Sequence, residues 1–378
     1  MGIHRGHRAR PLEWLVEKGI LAISFSAIIM ILLIFLFIGR EALPVLFGRM
    51  DSSRDHVAVA PEKMDSMSPG ELQAYLGLTP REYAQMDRET IRILMEVKVE
   101  EVKEKPTDKD AKVNTTAWKY LVGAYQWSGY EKPEYIWQPV SAIHKYNIVP
   151  LIVGSLKATL VALMFSVPLA LGAAIFVSQM ASPKVREIIK PMIELLAGVP
   201  SVVLGFFALI VMATVLQTVF GYESRLNAFV AGIALGLSVI PVVFSISEDA
   251  LTSVPGSYTH AALAVGASKW QAAWQIVLPA AMPGVFAAMV LGFGRAIGET
   301  MIVLMASGNA SIMSLSIFDS TRTITATIAA ELAETVFGGH HYRLLFTIGL
   351  LLFTVTFVAN LLGDLVITKL KSRLEGAR

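Results

Sequence analysis

The chain has 378 residues, of which 54% are hydrophobic and 16% charged, with a formal net charge of +2. A soluble domain carries about 25% charge, so this composition, with a mean hydropathy of +0.58, argues against a soluble globular protein and for a membrane protein. The small net charge and the lack of a basic cluster interleaved with aromatics argue against a nucleic-acid partner, and the absence of cysteine excludes disulfide and thiol chemistry.

The N-terminus, Met1 to Arg10, is basic, and an apolar run follows from Ile20 to Ile38. A signal-peptide core is shorter, about 7–15 residues, and is followed by a small-residue cleavage site. Gly39-Arg40-Glu41 offers no such site, so the run reads as a retained first span. Six segments reach the roughly 20 apolar residues that a crossing helix needs: 20–38, 150–177, 192–219, 228–247, 281–307 and 344–368. The expected fold is therefore an all-α integral membrane protein. Basic residues set its orientation: Arg5, Arg8, Arg10 and Lys18 before span one, Lys184, Arg186 and Lys190 after span two, and Lys369, Lys371, Arg373 and Arg378 at the end. Six spans place all three groups on one side, and the positive-inside rule makes that side the cytoplasm. Both termini and the loop 248–280 are then cytoplasmic, in a multi-pass membrane protein.

Four regions follow: 1–50, the N-terminus and first span; 51–147, an extracytoplasmic insert; 148–370, a five-helix core; and 371–378, a cytoplasmic tail. The insert holds 29 of the chain's 62 charged residues (32 basic, 30 acidic), so it faces water. Ser68-Pro69-Gly70-Glu71 has capping-box spacing with proline in the first turn, and Thr79-Pro80-Arg81-Glu82 repeats it. The stretch 98–112 alternates Lys, Glu and Asp and reads as a solvated linker. No ligand cluster or catalytic group stands out, which suits an accessory or partner-docking module. Further on, Thr323 to Phe337 reads as a helix stopped by Gly338-Gly339, too polar to cross lipid and suited to the outer mouth of a pore.

The cytoplasmic loop carries a pattern. His260-Ala261-Ala262-Leu263-Ala264-Val265-Gly266, nine residues, then Ile276-Val277-Leu278-Pro279 resembles the E-A-A-x3-G-x9-I-x-L-P loop of ABC importer permeases, with His260 where glutamate is usual. Ala261, Ala262 and Gly266 are small, so a short helix here can press its backbone into a partner's groove, and Pro279 is expected to end the segment before span five. An ordinary amphipathic connector is the alternative. Gly292-Phe293-Gly294-Arg295-Ala296-Ile297-Gly298-Glu299-Thr300-Met301 is similar to the G-x-G-R-A-x-G-E-T motif of phosphate-specific transport permeases. Ile193 to Val202 looks like that family's third-span opening, and Gly308-Asn309 matches its "GETM" subunit type. The resemblance covers roughly 148–370 and leaves the insert aside. It implies two permease chains, related but different, two ATPase chains, a periplasmic phosphate-binding protein and phosphate as cargo. No G-x-x-x-x-G-K-[ST] occurs in the chain, so the resemblance places ATP hydrolysis on a separate polypeptide and requires no cofactor here.

Charges inside the membrane cost several kcal/mol and are functional by default. Arg295 and Glu299 stand four residues apart near the centre of span five, so on a helix they share a face and can pair. They form either a packing pair or a gate in which Arg295 meets an oxyanion with its planar fork and Glu299 holds or releases it. Thr300 beside them and Glu194 near the inner end of span three complete the candidate pathway. Lys157 and Asp364 are expected to snorkel. Gly292, Gly294 and Gly298 allow close helix packing or a smooth pore wall. Pro168, Pro200 and Pro241 fall within expected spans and can kink them. Two other functions stay open: a permease for sulfate, molybdate or another oxyanion, and a membrane sensor that uses its insert. No catalytic or metal-spaced set can be assembled from the polar residues of the spans, so a transport subunit is expected rather than an enzyme.

Overall fold

The computed structural model describes residues 11–52, 67–76, 78, 80–104, 110, 113–141 and 143–375. Arg5, Arg8, Arg10 and Arg378 lie outside the described residues. Among the described residues, six helices are long and apolar enough to cross a membrane: Val16–Leu46, Val149–Met180, Ser201–Phe220, Ala228–Thr252, Lys269–Gly298 and His340–Lys369, called spans one to six below. Span four is the centre of the bundle and packs on spans two and five. Small residues permit this: a Cβ added to Gly232 would stand 2.5 Å from the Val161 side chain, and one added to Gly236 would stand 2.8 Å from Phe165. Span one lies along span six through Phe35–Phe353 and Phe37–Phe346 ring contacts at 5.4 and 5.7 Å. Most of its other side chains are exposed, as lipid-facing ones are in an isolated chain.

Two expected spans are broken. The run 192–219 is two elements, a helix Pro183–Ala197 and span three from Ser201. Pro200 lacks an N–H and sits extended, with φ −58° and ψ 137°, so it caps span three from outside. Pro168 and Pro241 do lie inside spans two and four. The run 281–307 is also two elements. Span five ends at Gly298, Glu299 is extended (φ −71°, ψ 135°), and a short helix Met301–Ala306 follows. Nor does Pro279 end the loop. The helix runs through it, with a wide i→i+5 turn at Ala273–Val277 just before the residue that cannot donate.

The insert contains helices Pro69–Leu76, Pro80–Gln85, Arg88–Glu104 and Trp118–Val122. Ser68 and Glu71 form the expected reciprocal cap, Ser68 N to Glu71 Oε2 at 2.8 Å and Glu71 N to Ser68 Oγ at 3.4 Å. Thr79 lies outside the described residues. The expected linker 98–112 is corrected in part: 98–104 continues the helix Arg88–Glu104, while 105–109, 111 and 112 lie outside the described residues. Trp137–Gln138 pairs antiparallel with Lys145–Tyr146 and docks on the membrane domain. Beyond the short helix, residues 307–323 form a loop, followed by a helix Ile324–Glu331 capped by Thr323 and extended by one tight turn to Glu334. Lys157 does not snorkel. It is buried, and its Nζ donates to the carbonyls of Ser314 and Ser316 at 3.1 and 2.8 Å, which pins this loop to span two.

Candidate functional site

The loop between spans four and five begins where span four ends at Thr252, and its first helix is Gly256–Ala264. His260 and Ala261 are exposed on it, whereas Ala262 is buried against the body of the protein. Gly266 has φ +91° and open space around it, so its glycine is set by a left-handed turn rather than by close packing. Ser268 and Gln271 cap each other reciprocally at 2.8 and 3.2 Å and start the next helix. Leu278 is buried and Pro279 exposed. Exposed beside His260 are Val265 and a stacked pair, Trp270 and Trp274, with centroids 5.7 Å apart. The sequence reading passed over these three. Large apolar side chains in a loop otherwise rich in small and polar residues were the available signal.

The break after span five holds the intramembrane charges. Arg295 lies in the last turn of span five, exposed, and its Nε donates to the Ser238 carbonyl at 3.2 Å. Glu299 turns the other way. Its Oε1 accepts from the backbone N–H of Thr300 at 3.1 Å and of Met301 at 3.3 Å, and its carbonyl accepts from Thr325 Oγ1 at 2.8 Å. The expected Arg295–Glu299 pair is thus absent, because the helix that would align the two residues stops at Gly298. Thr300 occupies the cap position of the short helix, and Glu299 satisfies its first free donors. Gly292 packs on Val243, whose Cγ2 would be 2.7 Å from an added Cβ, but Gly298 faces open space. Gly205 of span three closes one side: an added Cβ would stand 2.9 Å from Met305 Sδ and 3.1 Å from the Met301 carbonyl. Gly308, at φ +82°, would place a Cβ 2.8 Å from the Leu226 carbonyl, so the turn after the short helix requires glycine.

Glu194 is not brought to this site. It is exposed on Pro183–Ala197, a helix fastened to the ends of spans two and four. Arg186 donates to the Val177 carbonyl at 3.0 and 2.9 Å and to the Ser178 carbonyl at 2.7 Å, at the end of span two. Lys190 Nζ meets Glu248 Oε2 of span four at 2.7 Å, with Asp249 at 3.7 Å, and Thr252 Oγ1 donates to Glu248 Oε1 at 3.1 Å. Glu248 is only 3% exposed. Its hydrogen bond holds the Lys190 ammonium above the usual lysine range against desolvation, with Asp249 and Glu194 adding. The sequence reading stopped span four at 247, one residue short of this carboxylate.

A second buried carboxylate joins the insert to the core. Glu331 accepts from Trp137 Nε1 at 3.2 and 3.1 Å, from Arg322 Nη2 at 2.8 Å, and pairs with His341 Nε2 at 2.9 Å. Ser311 Oγ donates to the Trp137 carbonyl at 2.8 Å. A cavity of about 590 Å³ opens beside this latch, between Tyr130, Tyr135 and Gln138 of the insert and Ser311 and Met313 of the core.

The family model described as "binding-protein-dependent transport system inner membrane component" matches residues 166–375. A probable ABC transporter permease protein of Bacillus subtilis, YqgH, is 35% identical over 60% of this chain and 73% of its own. The phosphate transport system permease protein PstC of Xylella fastidiosa is 34% identical over 64% of this chain and 78% of its own. PstC of Mesorhizobium japonicum is 32% identical over 63% and 77%.

Proposed function

Since the chain belongs to the family of binding-protein-dependent transport system inner membrane components, we propose that it forms one half of the pore of an ATP-driven importer of inorganic phosphate. The named function of its PstC relatives supports the cargo. The observation that carries the reading is Arg295: a guanidinium in the last turn of span five, exposed in the single chain, with no carboxylate paired to it among the described residues. A charge in that position calls for a partner from outside the chain, and a tetrahedral oxyanion fits the planar fork. The helix break at Glu299 and Thr300 gives the pathway a point at which its wall can bend. Glu299 and Thr300 border the anion there, and Glu194 has no part in its passage.

The second permease chain, related but different, completes the pore. Each of two ATPase subunits hydrolyses ATP and grips one permease, here through Gly256–Ala264 with His260, Ala261 and Val265 outward. A periplasmic phosphate-binding protein delivers the anion at the outer face. Both termini and the loop 248–280 lie in the cytoplasm, and 51–147 lies outside. The test is uptake of labelled phosphate into vesicles that contain this chain with its co-purifying subunits and binding protein, with and without ATP. ATP-dependent uptake that excess sulfate or molybdate leaves intact supports the reading; uptake abolished by either competitor moves the cargo to that oxyanion.

A further inference from the structure

Arg225 belongs to the loop between spans three and four, yet its side chain runs back along span three. Nη1 donates to the Leu209 carbonyl at 3.1 Å and to Thr214 Oγ1 at 3.3 Å. Span three ends at Phe220, so at a rise of about 1.5 Å per residue Thr214 sits about 9 Å inward from the helix end, and the Leu209 carbonyl, bonded by the same nitrogen, lies within one turn of that level. An arginine near the end of a lipid-facing helix extends outward to the headgroups; this one reaches toward the bilayer centre. It is exposed in the single chain, no carboxylate pairs with it, and its Nε and Nη2 have no protein partner among the described residues. The Leu209 carbonyl lies in a wide turn, Ala208–Met212, of the kind that recurs at functional sites. Thr214 and Thr218 continue the same exposed face one turn apart, with Thr218 Oγ1 donating to the Thr214 carbonyl at 2.9 Å. Hydrocarbon does not stabilise an exposed cation beside two hydroxyls at this depth, and water does.

We propose that this face of span three lines the outer half of the anion path, and that Arg225 contacts a tetrahedral oxyanion before Arg295 does. The two levels are continuous. Gly205, one turn inward of Leu209, abuts Met301 and Met305 of the short helix that follows the Glu299 break. Arg225 keeps its unspent donors free because the carbonyl and the hydroxyl hold it through one nitrogen. The proposal rests on the anion-import reading for its ligand, but its geometry can be tested without the cargo.

The chain has no cysteine, so Thr214→Cys and Thr218→Cys each place one thiol on it. In the full assembly in vesicles, both thiols are to be probed with small membrane-impermeant thiol reagents, one anionic and one cationic. The expected result is labelling at both positions, with the anionic-to-cationic rate ratio falling about tenfold when Arg225 is changed to Gln, as loss of one nearby charge in water requires. Should Arg225→Gln fail to assemble, the single-cysteine chains with Arg225 intact still decide. An anionic reagent that outpaces the cationic one, relative to a free thiol, supports the proposal. Absence of labelling means that lipid or a neighbouring chain covers the face, and it overturns the proposal, as does a ratio indifferent to Arg225. Wild-type vesicles that fail to import phosphate but show the charge-dependent labelling would sink the cargo and leave the path.

Discussion

The charges at the two ends of the bundle and the charges along its middle are handled differently. At one end of the bundle, Arg186 is spent on the carbonyls of span two, and Lys190 meets the buried Glu248. At the opposite end, Glu331 is surrounded by Trp137, Arg322 and His341. These groups find their complements within the chain and bind helices to each other. Between them, Arg295 and Arg225 each donate through a single nitrogen and stay exposed. Glu299, the carboxylate nearest in sequence to Arg295, caps a short helix instead. The contrast separates two uses of intramembrane charge: charge that closes on itself holds the fold, and charge left open awaits something the chain lacks.

The comparison can be broken first at the Lys190–Glu248 clamp. Lys190→Ala leaves Glu248 buried without its cation, and should destabilise the purified assembly by about 2 kcal/mol, below the range for fully buried pairs because Lys190 is partly exposed. Thermal melting in detergent measures this, and a charge swap, Lys190→Glu with Glu248→Lys, should recover part of the loss. A variant that melts like the wild type would remove the clamp from the set of holding charges. The pH dependence sharpens the point. Because the bond to Glu248 raises the Lys190 pKa, its stabilisation is complete below the ordinary value of 10.5 and is lost only as pH rises through the raised one. The melting difference between wild type and Lys190→Ala should therefore stay flat across neutral pH and shrink only in strong alkali.

The Glu331 latch gives a smaller effect. Trp137→Phe keeps the ring but removes the N–H that Glu331 accepts, and should cost about 1 kcal/mol. Faster amide exchange confined to residues 113–146 and 311–331, with uptake retained, is the expected outcome; unchanged exchange would show that the tryptophan bond does not fasten the insert. Smallest is Ser68→Ala, which removes one half of a capping box on the exposed helix Pro69–Leu76 and should cost about 0.5–1 kcal/mol. Its helix should fray by exchange while uptake is unaffected, and slower uptake would mean that this helix takes part in transport.

Apolar runs made the six spans legible, and Ser68 with Glu71 made one helix start legible, because both depend on local spacing. What the sequence hid was conformation at breaks. Pro200 and the extended Glu299 each sit inside an apolar run that hydropathy reads as continuous. The four-residue spacing of Arg295 and Glu299 implied a shared face only while the helix persisted, so the pairing failed along with the helix. Glu194 was misplaced for the same reason, since Gly198–Pro200 separates its helix from span three. Lys190 and Glu248 meet across 58 positions, and Trp137 and Glu331 across 194, which no periodicity reports. Arg225 went unremarked because its depth depends on where its side chain turns.

The measurement that bears most directly on the contrast is ATP-driven phosphate uptake by vesicles carrying Arg295→Ala or Arg295→Lys, read beside the melting temperature of the same assemblies. The account predicts that alanine lowers uptake about 100-fold, as loss of charge-assisted hydrogen bonds to the anion requires. Lysine should restore little of it for want of the fork, and both assemblies should melt like the wild type because Arg295 closes no ion pair among the described residues. Wild-type uptake by the alanine variant, or a collapse of its stability in place of its uptake, would contradict the claim that the open charge serves the cargo.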